Sequence, residues 1–444
     1  MQKSLALKLF SVGVLILLLL VPLKLIEGLI SARQHRQMEV EQTIAASAAH
    51  AQTATTPFLV VRYIEQVTEE SWSEPLKRYR TVTTPVTRTA MFTPIEAKLE
   101  VITDADARFK GLYKAQVLKS ESRWRLRFEV PAMLGTGLKR EVVEQLDAWI
   151  AIGLSDARGI IGAPEVTWNG SALTVHPGTG FDRLANGLHA SVGKWPDEKT
   201  QSIEASVKLN WIGTGALNFA PLGQRTQVTL HSPWPHPNFQ GSFLPVDKTI
   251  GDAGFRATWD VTHYASQNDR LLQSANPVLE NFGVRFIEPV NIYLTAERAV
   301  KYGILFVALT FAAFFLIEIL KGAAMHPLQY GLVGLALAVF FLLIVSLSEH
   351  LAFGAAYLAA SVACVGLMSF YISHVLNSRR RGLGFGALFG LLYLALYGLL
   401  LSEDNALVLG TLLLFAALAT VMVLTRKVDW FRLGEVAPAK NASD

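Results

Sequence analysis

Residues 328–347 read LQYGLVGLALAVFFLLIVSL, a stretch without a charged side chain and about as long as the ~20 residues a helix needs to cross a hydrocarbon core. Similar runs cover 299–320, 351–373, 383–401 and 406–425, and a further apolar run, Leu9 to Leu23, follows Lys3 and Lys8. Between the first run and the rest the character changes. Residues 123–130, RWRLRFEV, alternate charged and apolar side chains, the period-2 pattern of a half-buried strand. The chain therefore reads as a membrane α-helical bundle plus an all-β, sandwich-like domain. Its expected parts are an N-terminal anchor over 1–30, a β-rich domain over 31–298, five spans over 299–425 and a tail over 426–444 that is disordered after Leu433.

Composition agrees with two folding environments: 51% of the 444 residues are hydrophobic and 17% charged, too apolar for a soluble chain and too charged for a wholly buried one. The net charge of +4 does not point to nucleic acid, because many cations flank apolar runs, where they act as topology signals. The single cysteine, Cys364, lies within a span, so no intrachain disulfide can form; it reads as a small buried hydrophobe.

Loop charge sets the expected orientation. Lys321, Arg379 to Arg381, and Arg426 with Lys427 alternate with loops carrying Glu349, His350, Glu403 and Asp404 and no lysine or arginine. Positive-inside then places both termini in the cytoplasm of a bacterial inner membrane and residues 31–298 in the periplasm. Leu9 to Leu23 also fits a signal peptide, and Ala49-His50-Ala51 fits the A-x-A cleavage pattern. That site lies far beyond the apolar core, so an uncleaved anchor is expected, its helix running on towards Ala48.

In the β-rich part, strands are expected at Phe58–Ile64, Met91–Val101, Ile203–Trp211, Val228–Leu230 and Val284–Leu294. A helix is expected over Leu138–Trp149, where Val142, Val143, Leu146 and Trp149 have helical spacing. The segment Ser232–Pro245, rich in proline and aromatics, reads as an ordered loop and not as a central strand.

Motifs for catalysis are weak. Ser191-Val-Gly-Lys194 matches the S-x-x-K of penicillin-binding proteins, but Ser191 lies among strand-like residues where the motif needs a helix start, and the companion motifs are out of order. His176, His189, His231, His236 and His263 show no zinc-ligand spacing. No metal or cofactor is expected, nor nucleic-acid binding. Glu318, three residues before Lys321, reads as an interfacial partner of that lysine, with a proton or ion ligand as the alternative. With His326, Glu349 and His350 it makes up the candidate functional set of the membrane region. In the exported domain, Trp234, His236 and Phe239, on a backbone stiffened by Pro233, Pro235 and Pro237, together with Asp156 and Arg158, are the candidate recognition surface. The alternative is structural: the loop caps the sandwich and Asp156–Arg158 ties a turn.

Several ordered blocks carry a further reading. They are Ser155-Asp-Ala-Arg-Gly-Ile160, Pro177-Gly-Thr-Gly180, Trp234-Pro-His-Pro237 with Gly241 and Phe243-Leu-Pro245, Arg298-Ala-Val-Lys-Tyr302, His326-Pro-Leu-Gln-Tyr330, Leu347-Ser-Glu-His350, Ala406-Leu-Val-Leu-Gly410 and Asp429-Trp430. Through them the chain resembles, over nearly its full length, the CreD family of inner-membrane proteins, also called cell envelope integrity proteins. The resemblance implies a non-enzymatic envelope protein, associated with the Cre two-component regulon, with envelope stress and with β-lactam susceptibility or tolerance. Its partners would be the lipid bilayer and an unidentified periplasmic or envelope component. It supplies no catalytic residues. A membrane transporter or channel built from the C-terminal helices is the alternative.

Overall fold

The structure, a computed structural model, describes residues 2–73, 77–130, 140–193, 201–274, 277–288, 292–321, 326–402 and 405–426. Lys194, Leu138 and the tail after Leu433 lie outside these residues. The chain divides into two units, Met1–Arg36 with Val290–Asp444, and Gln37–Pro289.

In the first unit, α1 (Gln2–Ser47) supplies its N-terminal three-quarters, the remainder of the helix belonging to the second unit. The other helices are α3 (Ile292–Lys321), α4 (Pro327–Ser348), α5 (Phe353–Val375), α6 (Arg379–Leu401) and α7 (Ala406–Thr425). Consecutive helices pack in sequence from α3 to α6, as short connections require, and α3 also touches α6. Glycines admit the anchor: a Cβ on Gly303 would come within 3.2 Å of Leu23, and one on Gly334 would collide with Leu19. Aromatic rings fill the centre, with Phe340 4.5 Å from Tyr393 and 5.6 Å from Tyr357. The Tyr393 hydroxyl meets the Cys364 sulfur at 3.1 Å, and that sulfur lies 3.4 Å from the Ala336 carbonyl, so the buried thiol is also part of a small polar chain. No described side chain of α7 is buried, which suits a helix whose solvent is lipid.

Among the described residues the second unit is all β apart from the end of α1, the single-turn helix α2 (Asn268–Leu271) and two short 3-10 turns. A four-stranded sheet has the order β1 (Gln52–Thr55), β12 (Ala216–Ala220), β17 (Phe282–Phe286), β14 (Pro237–Gly241). A five-stranded sheet has the order β3 (Arg78–Phe92), β2 (Phe58–Ser73), β6 (Arg140–Gly153), β10 (Gly187–Gly193), β9 (Val175–Pro177). An eight-stranded sheet has the order β15 (Asp247–Gly251), β16 (Gly254–Thr262), β13 (Arg225–Ser232), β4 (Glu96–Lys110), β5 (Tyr113–Val130), β11 (Gln201–Thr214), β7 (Ile160–Trp168), β8 (Ser171–Leu173). Side chains of all three sheets meet in one core, among them Phe219, Phe282, Ile150, Trp124, Trp211 and Trp259. The layered all-β expectation holds, with three sheets instead of two.

Residues 123–130 lie in β5, and their alternation is the one observed: Trp124, Leu126 and Phe128 are buried while Arg123, Arg125 and Arg127 are exposed. Phe58–Val61 do not alternate because the five-stranded sheet is covered on both faces there. Leu59 and Val61 face the main core; Phe58 and Val60 face a second cluster with Trp149, Phe181 and Leu272.

Three sequence expectations need correction. The helix read over Leu138–Trp149 is a strand, β6, from Arg140 on. Its register against β2 slips twice, pairing Arg62 with Asp147 but Tyr63 with Gln145, and Ile64 with Glu144 but Glu65 with Val142. Leu146 and Val143 are the residues skipped, and such bulges turn a period of two into the spacing that mimicked a helix. The strand read over Met91–Val101 is two strands, β3 ending at Phe92 and β4 beginning at Glu96, separated around Pro94. The strand read over Val284–Leu294 occupies only Phe282–Phe286, and helix α3 has begun by Ile292. Within the Ser232–Pro245 loop, Pro237–Gly241 pairs with β17 as an edge strand, a position that tolerates proline.

Candidate functional site

Asp156 precedes, and Arg158 lies within, a single 3-10 turn, Ala157–Gly159, shortly after the end of β6. Asp156 caps it, Oδ1 accepting the Arg158 N–H at 3.2 Å, and Oδ2 accepts the His50 N–H at 3.2 Å. The Arg158 guanidinium grips both carboxylate oxygens, Nε to Oδ1 at 2.9 Å and Nη2 to Oδ2 at 2.6 Å, while Nη1 donates to the carbonyl of Ala46 at 2.9 Å. That carbonyl belongs to the last turn of α1, whose C-terminal oxygens lack intrahelical partners and favour a cation. The ion pair therefore fixes the end of the anchor helix to the β domain.

Gln52, wholly buried beneath this turn, was not foreseen from the sequence. Its Nε2 donates to the carbonyls of Asp156 at 2.8 Å and Ile212 at 3.0 Å, and its Oε1 accepts from the Asp156 N–H and the Ser155 hydroxyl, both at 3.1 Å. A Cβ on Gly159 would collide with Ile212 O and Gln52 Nε2, so only glycine lets the turn lie this close. Thr214 completes the junction by donating its hydroxyl to Ala49 O at 2.7 Å. No local pattern marks Gln52, because its partners lie more than a hundred positions along the chain.

Arg158, first through its side-chain hydrogen bonds, with help from the His50 and Arg158 backbone N–H groups, lowers the Asp156 pKa from 3.8 to about 2. A carboxylate with a depressed folded-state pKa contributes stability that is complete above its unfolded value and lost as pH falls through the folded one. Asp156→Asn is accordingly expected to cost the β domain roughly 1–2 kcal/mol at neutral pH, a figure kept low because Arg158 is more than half exposed. The gap between variant and parent should close as pH falls from about 4 towards 2, read by thermal unfolding at each pH.

The second part of the candidate surface belongs to the same end of the domain. Trp234 is half-buried and its Nε1 donates to Ile287 O at 3.1 Å; Phe239 packs edge-on against Phe255 at 6.0 Å and Trp259 at 5.8 Å. His236 is exposed, its carbonyl accepting from Ile287 N at 3.3 Å. A continuous path links the two parts, from Asp156 to His50, then to Thr214, whose neighbour Gly215 accepts from Phe286 N, next to Ile287. No hydrogen bond, ion pair or ring contact among the described residues joins Asp156 or Arg158 directly to Trp234, His236 or Phe239.

The membrane-region candidates fall into two groups at opposite ends of α4, about 30 Å apart at 1.5 Å per residue. At one end Glu318 accepts a hydrogen bond from the Tyr330 hydroxyl at 2.9 Å, the side chain of Lys321 being outside the described residues. His326 caps α4 there: Nδ1 accepts the Leu328 N–H at 3.2 Å, and Gln329 Oε1 accepts the His326 N–H at 3.1 Å. At the other end the largely buried Glu349 carboxylate lies 3.4 Å from Arg33 Nε of α1 and 3.3 Å from the Tyr293 hydroxyl of α3, while His350 is exposed. Among the described residues no three His, Cys, Asp or Glu side chains are grouped to hold a metal ion. His176 and His189 do face each other across β9 and β10, ring centres 5.4 Å apart, with His189 Nδ1 2.7 Å from Gly178 O.

Among the described residues, six helices are long and apolar enough to cross a membrane, and with the β domain they define a polytopic membrane protein with a large extramembrane module. The chain belongs to the CreD family, matching the family described as Inner membrane protein CreD over residues 4–431. It is 35% identical over 424 residues to the inner membrane protein CreD of Escherichia coli (strain K12), a match covering 94% of this chain and 91% of that protein. Among solved structures, a mutant M1 zinc metallopeptidase from Deinococcus radiodurans aligns at 10% identity and TM-score 0.20, covering 44% of this chain and 42% of the peptidase, a likeness too loose to carry an argument.

Proposed function

We propose that this inner-membrane protein serves cell envelope integrity and the response to envelope stress and β-lactams by binding an envelope component, not by catalysis. Both termini lie in the cytoplasm and residues 31–298 in the periplasm, as the alternation of basic and acidic loops supports. One observation carries the binding reading. The proline-rich loop is held at both of its aromatic anchors, Trp234 on the Ile287 carbonyl and Phe239 in the core, while His236 between them is left exposed. A loop ordered before it meets a partner loses little entropy on binding. Asp156 and Arg158 complete the surface by fixing the same end of the domain to the anchor helix.

The test has two arms. Reporter fusions near residues 150, 323, 349, 380, 403 and 440 should give external signal at 150, 349 and 403 and cytoplasmic signal at the others; cytoplasmic signal at 150 or 403 would sink the topology. His236→Ala should leave membrane level and thermal stability unchanged, within about 0.5 kcal/mol for an exposed side chain, while abolishing complementation of an envelope-stress phenotype. Full complementation at normal level would remove the loop from the mechanism. Substrate-specific flux in liposomes, lost in Glu318→Gln, would instead favour a transporter.

A further inference from the structure

The eight-stranded sheet is uneven at one end. Strand β11 stops at Thr214, paired with Val117, and β13 covers β4 only as far as Ile102. Beyond them β4 and β5 continue together as a ribbon and close at Lys110 opposite Tyr113; Gln116 O still accepts from Gly215 N and Ala115 is buried, so the projecting part is the tip from Arg108 to Lys114. The turn is Gly111-Leu112, with Gly111 at φ +65°, the positive dihedral that tight hairpins need.

A hairpin that projects into water should carry a polar tip. This one carries Phe109, 70% exposed, and Leu112, 52% exposed. Around them stand Arg108, Lys110 and Lys114. Asp106 answers Arg108 only at 3.9 Å while also holding Lys119 at 3.1 Å, and Lys110 has no ion-pair partner among the described residues.

Lys114 does have a partner, and it places the ribbon. Its Nζ lies 2.7 Å from Glu288 Oε1, and the Gln116 amide donates to the same oxygen at 2.8 Å. Glu288 precedes by four residues Ile292, the first residue of a membrane-spanning helix, so at most about 14 Å of chain separates them. The ribbon is therefore tied to the last residues of the β domain before helix α3.

We propose that this hairpin tip is a membrane-interface anchor, with Phe109 and Leu112 dipping among the lipid headgroups and upper acyl chains and Arg108 and Lys110 meeting anionic phosphates. An aromatic and an aliphatic side chain ringed by cations is the residue set that partitions to such an interface. Held there, the tip gives the β domain a lipid contact besides its two covalent connections.

The test uses the full chain in vesicles of phosphatidylethanolamine with a minority of phosphatidylglycerol. Phe109→Cys and Leu112→Cys are each labelled with an environment-sensitive fluorophore. Val82→Cys, on the exposed face of β3, is the comparison, and the parent chain, whose only thiol is buried, is the blank. Labels at 109 and 112 should lose most of their emission to lipids carrying a nitroxide near the headgroup and be shielded from aqueous iodide, with the reverse at 82. Labels at 109 and 112 that behave like the one at 82 would overturn the proposal. Shielding from iodide in native membranes that vanishes in the purified vesicles would also overturn it, in favour of a protein partner.

Discussion

Gln52→Leu is expected to destabilise the β domain by about 4 kcal/mol, among the largest effects of any single substitution that preserves side-chain size. Leucine fills nearly the same volume, so no cavity forms and the loss is electrostatic in origin. The carbonyls of Asp156 and Ile212 and the N–H of Asp156 would lose their side-chain partner in a partly buried junction around the wholly buried residue 52, as would the Ser155 hydroxyl one of its acceptors. Each buried group left unmade costs about 1–3 kcal/mol. Because Asp156 also holds His50 and Arg158, whose Nη1 reaches Ala46 O, the damage should spread to the attachment of α1. Limited proteolysis of the purified full chain should show cleavage between 47 and 57 where the parent resists. A variant as resistant and as thermostable as the parent would show that the turn is held by the Asp156–Arg158 pair alone.

Trp259→Ala should cost about 3–5 kcal/mol, whereas Trp259→Phe should cost only about 1 kcal/mol. Trp259 is fully buried on β16 where the four- and eight-stranded sheets meet, its ring 5.3 Å from Phe282 and nearly parallel to it, with Phe239 edge-on at 5.8 Å. Alanine removes the shared neighbour of both rings and leaves a cavity between two sheets. Phenylalanine keeps the stacking, and it sheds an indole N–H that has no hydrogen-bond partner among the described residues, so nothing polar is stranded. Thermal unfolding followed by tryptophan fluorescence separates the two. Equal losses in both variants would mean that the indole N–H is bonded in solution, most simply to a water. Since Phe239 leans on this ring, Trp259→Ala should also loosen the Trp234–Pro245 loop, and Trp259→Phe should not.

The candidate site was only partly legible before the fold was known. Prolines around Trp234 announced an ordered loop because proline restricts φ whatever surrounds it. Asp156 and Arg158 were visible as a charged pair two residues apart, a separation at which a short turn brings the groups together. Their second task, on Ala46 O, depends on a helix end 112 positions away, and no local rule reaches that far. Gln52 illustrates the same limit more sharply. A lone glutamine between alanine and threonine carries no signal, and its importance arises only where three distant segments close over it.

What the sequence by itself determined was the division into membrane and extramembrane parts, the spans and the alternation of β5, because each depends on the solvent met by one segment at a time. Hydrocarbon accepts only helices whose backbone is satisfied internally, so about 20 apolar residues suffice to predict a span. A strand with one face on the core must alternate. What only the tertiary structure decided was the character of residues 140–149, the order of the three sheets and the junction around Gln52. In β6 the bulges at Val143 and Leu146 are imposed by pairing with β2, and they erase the period from which a strand would have been read. Sheet order and the buried hydrogen bonds at the end of α1 join residues far apart in the chain, and such pairings are chosen by the packing of the whole core, not by any stretch within it.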